Sequence, residues 1–267
     1  IRVDDAMAAP LQVASQARGA IRHHGTYLIT GGLGGLGLTI AHWLVANGAR
    51  DLVLLSRREP TPAVAETVAT LQAQGANVVT VQADVACADQ LKAVIKQIDA
   101  TMPALRGIFH AAGILDDGLL LDLNPERFAR VMAPKVNGGW LLHQMTTHLD
   151  LDLFVLFSSA TAILGSPGQG NYVAANAFLD GLAHYRHQQG LPALSINWGA
   201  WAEVGMATQA NRAANLAQQG ILPFTPDQGV QLLERIPDDD LELSSFLLDQ
   251  RFRILGRQLS RRVIVFE

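Results

Sequence analysis

Three residues with matched chemistry lie close together in the run "FSSATAILGSPGQGNYVAANAFLD": Ser159, Tyr172 and Asn176. In carbonyl reduction a hydride goes to carbon and a proton to oxygen. A serine hydroxyl can hold the carbonyl while a tyrosine hydroxyl gives the proton. A free phenol ionises near pH ~10, too high for easy exchange at neutral pH, and a nearby ammonium shifts it down. The set therefore calls for a lysine. Many tyrosine-dependent reductases carry one four residues after the tyrosine, where this chain has Asn176. The only lysines are Lys92, Lys96 and Lys135. Lys92 and Lys96 fall on the polar side of an early helix. Lys135, in "VMAPKVNGGW", lies on the helix before the strand that ends near Ser159. It is the lysine expected to reach the cleft.

These groups need a frame, and the rest of the chain supplies one. Short apolar runs at 26–30, 51–56, 77–82, 105–110, 153–157 and 193–197 read as strands, separated by helical segments. Thr61-Pro62 and Asn124-Pro125 start two of the helices, each with a capping side chain followed by a proline whose missing N–H costs nothing there. Leu91, Val94, Ile95 and Ile98 give another helix one apolar face. Continuous apolar strands alternating with helices predict an α/β fold, a Rossmann-like doubly wound parallel sheet with helices on both faces. Residues 1–24 read as a linker or the remnant of a preceding subdomain, 25–255 as the catalytic domain and 256–267 as a tail. Within the domain, 200–222 read as a lid, 226–236 as a helix and 242–248 as a last strand.

The first strand runs into "TGGLGGLG". Gly31, Gly35 and Gly37 permit a tight turn and close approach of backbone to a pyrophosphate, with a helix N-terminus behind it. Thr30, Gly31, Gly32, Leu33, Gly34, Gly35 and Leu36 are the expected cradle. At the end of the second strand an acidic residue would bond the ribose of NAD; here stand Ser56, Arg57 and Arg58, whose guanidinium groups suit the 2′-phosphate of NADP. Asp84 and Val85 end the third strand, where an aspartate can bond adenine. His110, Ala111, Ala112 and Gly113 end the fourth. Trp198 and Trp201 follow the sixth and read either as contacts to nicotinamide or substrate or as core, with Trp198 taken as the contact.

Composition narrows the function classes. Apolar residues make up 49% and charged residues 16%, enough for a buried core. The net charge of −4, with no basic run, argues against nucleic acid. The single cysteine, Cys87, rules out an internal disulfide framework or a multi-cysteine metal site, and fits a cytoplasmic setting. No apolar run approaches the ~18 residues that span a bilayer. The first residues, "IRVDDAMAAP", show no signal-peptide layout and no initiator Met, as expected of a piece of a longer protein. "HYRH" (184–187) reads as a solvated helix face, and no metal site is expected.

The set Gly31-Gly35-Gly37, "SRR", "HAAG", Lys135, Ser159, Tyr172 and Asn176 resembles the ketoreductase domain of modular polyketide synthases, a branch of the short-chain dehydrogenase/reductase family. In that branch the lysine and asparagine positions are exchanged relative to the rest of the family, as at Lys135 and Asn176. "FSSATAILGSPGQGNYVAANAFLDGLAHYR" and "INWGAW" are its most specific stretches. The resemblance implies an NADPH-dependent β-ketoacyl reductase acting on a thioester carried by an acyl carrier protein, among neighbouring synthase domains. Tyr172 would be the acid, Ser159 would orient the carbonyl, Lys135 would lower the Tyr pKa and also touch cofactor, as would Tyr172, and Asn176 would hold a proton relay. It also implies a stereochemical type. Leu115-Asp116-Asp117 matches the "LDD" of B-type domains, which give a D-hydroxyl. Leu164 replaces the tryptophan of the opposite type, and Ala174 replaces a proline associated with epimerisation. Pro167 and Asn171 complete the expected stereocontrol set. Exposed arginines, Arg127 or Arg186 among them, would face the carrier. Two other readings are a redox-inactive NADP-binding scaffold domain of a synthase and a sugar-nucleotide epimerase, though the latter would want lysine at 176.

Overall fold

In the computed structural model, which describes residues 21–202, 223 and 225–234, six parallel strands form one sheet in the order β3-β2-β1-β4-β5-β6. The strands are β1 (Thr26–Thr30), β2 (Asp51–Ser56), β3 (Asn77–Gln82), β4 (Leu105–His110), β5 (Leu153–Ser159) and β6 (Leu194–Trp198). The helices are α1 (Gly35–Ala46), α2 (Pro62–Ala73), α3 (Ala88–Thr101), α4 (Pro125–Met132), α5 (Gly138–Thr146), the single turn α6 (Thr161–Leu164), α7 (Gly170–Gln188) and α8 (Pro226–Leu233). Residues 1–20 of the expected linker (1–24), 203–222 of the expected lid (200–222), the strand at 242–248 and the tail at 256–267 lie outside the described residues.

Strand alternation divides the core into two layers. Tyr27, Ile29, Leu52, Leu54, Phe109, Val155 and Ile196 point to one face and pack with Trp43 and Leu44 of α1, Leu71 of α2 and Leu233 of α8. Leu28, Val53, Leu55, Ile108, Phe154 and Leu156 point to the other, against Leu91 and Val94 of α3, Leu142 of α5 and Leu179 and Leu182 of α7. Period-two alternation on a sheet covered on both sides makes each central strand apolar throughout. The edge strand β3 departs from that expectation. Asn77, Thr80 and Gln82 are exposed, because no strand lies beyond it and α2 and α3 cover it only in part.

Local signals hold where they are local. Thr61 accepts from the Val64 N–H and Asn124 from the Arg127 N–H, each with proline at the next position. Gly48 ends α1 with φ of 104°, the left-handed region that favours glycine. Two boundaries move. β5 runs on to Ser159, two residues beyond the apolar run, because its last residues pair with Asn197 and Trp198 of β6. β6 correspondingly spans 194–198.

The long helix expected before β5 is interrupted. Between α4 and α5, residues Ala133–Asn137 form a π turn. Pro134 explains it: a proline inside a helix donates no hydrogen bond, and its ring collides with the carbonyl four residues back. Widening the turn relieves the collision. The widened turn carries Lys135.

Candidate active site

The order of strands reverses between β1 and β4, and ligands of such sheets bind in the crevice beyond the carboxyl ends there. Register brings the ends together: Thr30 pairs with Leu55 on one side and His110 on the other, His110 with Leu156, and Ser159 with Trp198. Thr30, Ser56, His110 and Ser159 therefore share one edge.

The glycine loop at that edge fits a dinucleotide pyrophosphate. Gly31 has φ of 68°, and a Cβ there would press on the backbone of Ala111 and Ala112 at 3.0 Å. A Cβ on Gly37 would overlap the Gly31 carbonyl, so α1 can start against the loop only with glycine there. Gly34 caps α1 in an extended conformation, and no side chain covers the helix N-terminus. The first-turn N–H groups are then left to an anion. Gly32, Leu33, Gly35 and Leu36 line the same turn. Beyond β2, Arg57 and Arg58 are exposed, and the Ser56 hydroxyl accepts from the Arg58 N–H at 3.2 Å. Asp84 accepts from the Ala86 N–H at 2.9 Å and Val85 is buried beside Gly138.

Two residues expected at the cofactor are buried. The side chain of His110 is fully buried. Its Nδ1 meets the Thr30 hydroxyl at 2.7 Å, and its Nε2 meets no hydrogen-bond partner among the described residues. Burial, aided by the Lys135 charge, holds its pKa down at about 3, so it is neutral. His110 thus ties the end of β4 to the end of β1 beneath the glycine loop. Ala111 and Ala112 N–H groups bond the Thr30 carbonyl and hydroxyl, and Gly113 follows. Trp198, expected against the nicotinamide, is buried among aromatic neighbours. Alternation along β6 sends it to the same face as Ile196, where its ring stacks on Phe157 at 5.6 Å and lies 4.8 Å from Trp201.

The residues expected to carry the reduction lie around the end of β5 and the start of α7. Lys135 is buried to 3% exposure, and its Nζ donates to the Phe157 carbonyl at 2.7 Å. The same Nζ lies 5.7 Å from the centroid of the Tyr172 ring. Burial lowers its pKa from 10.5 to about 7, with Asp180 pulling the other way. The Ser159 hydroxyl accepts from the Thr161 N–H and hydroxyl at 3.3 and 3.0 Å. Tyr172 sits in the first turn of α7. Asn176 is fully buried one turn on. Its amide donates along the helix to the Tyr172 carbonyl at 2.8 Å, and its Oδ1 meets no donor among the described residues. Lys92 and Lys96 are exposed on α3, remote from this cluster.

The loop after β4 is tied to both α4 and α7. Arg127 clamps Asp116 through Nε at 2.9 Å and Nη2 at 2.6 Å, Arg130 adds a bond at 3.0 Å, and these cations hold the Asp116 carboxyl below its ordinary range. Arg127 also donates to the Asp117 carbonyl. Asp117 meets Gln169, the Gly118 N–H donates to Gly168, and Asn171 donates to the Asp116 carbonyl while accepting from the Tyr172 N–H at 2.8 Å. Leu115 is half-buried, and Leu164 and Pro167 are exposed across the turn. The triplet is therefore mechanically linked to the start of the tyrosine helix. This also corrects the view of Arg127 and Arg186 as free surface cations. Arg127 is spent on the loop, and Arg186 is wholly buried, stacked 3.7 Å over Phe154 and bonded to His143 and the Pro192 carbonyl. The residues that sequence reasoning missed are Asp180 and Asn197, which lie under the site in a polar network; both fall in stretches that carry the resemblance, but nothing local signals that a carboxylate and an amide 17 residues apart meet.

Among the described residues no group of histidine, cysteine and carboxylate side chains is placed to hold a metal, and no helix is long and apolar enough to cross a membrane.

Comparison with known proteins follows the same outline. The sequence profile named KR domain matches residues 25–203. A phenolphthiocerol synthesis polyketide synthase type I, Pks15/1, of Mycobacterium marinum is 45% identical over 79% of the chain. The polyketide synthase GfsA of Streptomyces halstedii is 46% identical over 79% of it. The chain spans only 10% and 3% of those two proteins. Among solved structures, an A1-type ketoreductase superposes with a TM-score of 0.80 at 40% identity, covering 86% of this chain and 48% of its own.

Proposed function

The chain belongs to the KR domain family, the ketoreductases of polyketide synthases, and on that premise we propose that it uses NADPH to reduce a β-ketoacyl thioester on an acyl carrier protein to the D-β-hydroxyacyl thioester. The observation that carries the reading is the approach of the Lys135 ammonium to the Tyr172 ring from a different helix, with Asn176 at the position where a lysine would otherwise stand. NADPH would supply the hydride. The glycine loop and α1 would hold its pyrophosphate, and Arg57 and Arg58 its 2′-phosphate.

The chain's own residues handle the proton and the developing charge. Ser159 donates to the carbonyl oxygen and fixes its direction. Tyr172 gives that oxygen its proton as negative charge builds on it. Lys135, buried and titrating near neutrality, stabilises the phenolate left behind. Asn176 Oδ1, buried and without a donor among the described residues, is available to a proton relay that restores the phenol. The exposed side chains of Leu119, Leu120 and Leu121 line the loop after the LDD triplet and offer apolar surface to an acyl chain.

The D-configuration is read from Leu115-Asp116-Asp117 and from Leu164 and Ala174. Solved neighbours include an A1-type enzyme, so the product itself must be examined. The deciding assay follows NADPH oxidation with a β-ketoacyl thioester and resolves the product by chiral chromatography. A stoichiometric D-hydroxy product is expected. No oxidation would favour the scaffold reading, and an L-hydroxy product would remove the role given to the triplet.

Two variants sharpen this. Arg58→Glu should raise the KM for NADPH about tenfold or more, with a far smaller effect on NADH, since a charge-assisted phosphate contact is worth ~1.5–3 kcal/mol. Equal effects on both cofactors would place the 2′-phosphate elsewhere. Arg127→Ala releases Asp116 and Asp117, so stereochemical purity should fall while the KM for NADPH stays within about twofold; chiral analysis beside cofactor kinetics checks it, and unchanged purity would exclude the clamp from stereocontrol.

A further inference from the structure

Asp180 lies on α7 one turn beyond Asn176 and two beyond Tyr172, and its carboxylate is the hub of a polar network. The Ser195 hydroxyl donates to its Oδ1 at 2.5 Å, a short, charge-assisted bond. The Asn197 amide donates to its Oδ2 at 3.0 Å. That amide also reaches the Ser158 hydroxyl at 3.2 Å and the Ser159 carbonyl at 3.3 Å. The Ser158 hydroxyl in turn donates to the Asn176 carbonyl at 3.2 Å. Ser158, Asn176, Ser195 and Asn197 are all buried, so bonds lost here are not replaced by bulk water.

We propose that Asp180 is a positioning residue of the reduction: through Asn197 and Ser158 it locks the main chain at Ser159 and at Asn176, and so holds the end of β5 and the tyrosine helix in register. The two ends of that lock carry the carbonyl-orienting serine and the proton-relay asparagine, so the inference rests on the reductase reading above. The neighbouring carbonyl of β5, at Phe157, is taken by Lys135, so the last residues of this strand are fixed by the lysine turn on one hand and by the Asp180 network on the other. Half an ångström of slack at such a site costs rate, because a reacting hydroxyl works only in a narrow range of distance and angle.

Asp180 also acts by charge. It favours the protonated form of Lys135 against the burial that opposes it. The other ionisable groups around the site are accounted for. His110 from β4 is neutral, and Arg127 and Arg130 of α4 are paired with Asp116 of the loop after β4, where Asp117 also lies beside Gln169. His143 of α5 faces Arg186 and has its pKa lowered by burial. A negative charge favours both the ammonium and the neutral phenol. Removing it should lower the pH at which each loses its proton.

The test uses the full chain and four substitutions. The ionisation of Tyr172 is followed by tyrosinate ultraviolet absorbance, with Tyr172→Phe as the spectral reference, and kcat is measured against pH. Asp180→Asn should lower the Tyr172 midpoint and the falling limb of kcat by roughly half to one pH unit, and reduce kcat about tenfold. Asp180→Glu, which keeps the charge, should leave the midpoint near that of the wild type. If Asp180→Asn loses cooperative thermal unfolding, Asn197→Ala replaces it: the charge stays, the tie to Ser159 goes, and kcat should fall about tenfold with an unmoved midpoint. An unmoved midpoint in a folded Asp180→Asn protein overturns the proposal, as does wild-type kcat in Asn197→Ala. The titration needs no substrate. A wild type that does not reduce the thioester therefore defeats the functional reading, while the midpoint still decides for or against Asp180.

Discussion

Tyr172→Phe should bind NADPH with unchanged affinity and reduce a β-ketoacyl thioester at no more than about one part in a hundred to ten thousand of the wild-type rate. The substitution removes one oxygen and keeps the ring. The ring makes the contact with Lys135, and the first turn of α7 is held by Asn171 and by the Asp116 loop through backbone and amide bonds that phenylalanine leaves intact. The fold and the glycine loop are therefore untouched. What is lost is the proton donor to the carbonyl oxygen, together with one of the two hydroxyl contacts that stabilise its charge. Cofactor fluorescence titration and steady-state kinetics on the same preparation separate the two effects. Turnover at near wild-type rate would mean that the proton comes from another group. A concurrent loss of NADPH binding would mean that Tyr172 serves the cofactor first.

The second large effect concerns Lys135. Lys135→Met should lower kcat by about 10²–10³ and change how stability depends on pH. The first part follows from the loss of the buried cation that lies beside Tyr172. Without it the phenolate is less favoured and proton transfer is uphill. The second part follows from linkage. In the folded protein Lys135 loses its proton near pH 7, against 10.5 for an ordinary lysine. Between those values the unfolded chain binds the proton that the folded chain does not, so wild-type stability rises with pH across that window. The penalty of burying the charge is complete below about pH 7 and vanishes above 10.5. Methionine has no such dependence. The melting temperature of the wild type relative to Lys135→Met should therefore climb as pH is raised from 6 to 9 in the absence of cofactor. A constant difference across that range would show that the folded-state lysine titrates normally, and a kcat near that of the wild type would remove it from the mechanism. The variant also leaves the buried Phe157 carbonyl without its donor, a fixed cost of ~1–3 kcal/mol that does not alter the slope with pH.

Residues whose role is set by their neighbours in the chain were legible before any coordinates. Thr61 and Asn124 cap the helices they were expected to cap, because a cap bond spans three residues. The six strands and their helices fall close to the apolar runs, because burial of a parallel sheet on both faces writes itself as an uninterrupted run. Gly31 and Gly37 were recognisable because the turn they make is a local geometry that a Cβ forbids. Lys135 was found by scarcity: with three lysines in the chain and two on a polar helix face, one remained.

What the chain alone did not reveal depends on which surfaces come to face each other. Trp198 and His110 follow apolar strands and so read as cleft residues; the sheet's alternation turns one into the core layer with Phe157 and the other beneath the glycine loop. Arg127 and Arg186 read as surface cations until an aspartate 11 residues away and a phenylalanine on β5 claim them. The exchange of lysine and asparagine was visible as two letters, but the means was not. Pro134 opens a π turn, that turn carries Lys135 inward, and the Phe157 carbonyl receives it. Asp180 reaches Ser159 only across two strands and a helix. Short-range chemistry depends on chain neighbours that the sequence lists in order, whereas burial, pairing and field depend on contacts between segments dozens of residues apart. The sequence by itself thus determined the layers and the glycine turn and singled out the candidate hydroxyls, and the tertiary structure decided which buried charges and polar contacts surround them.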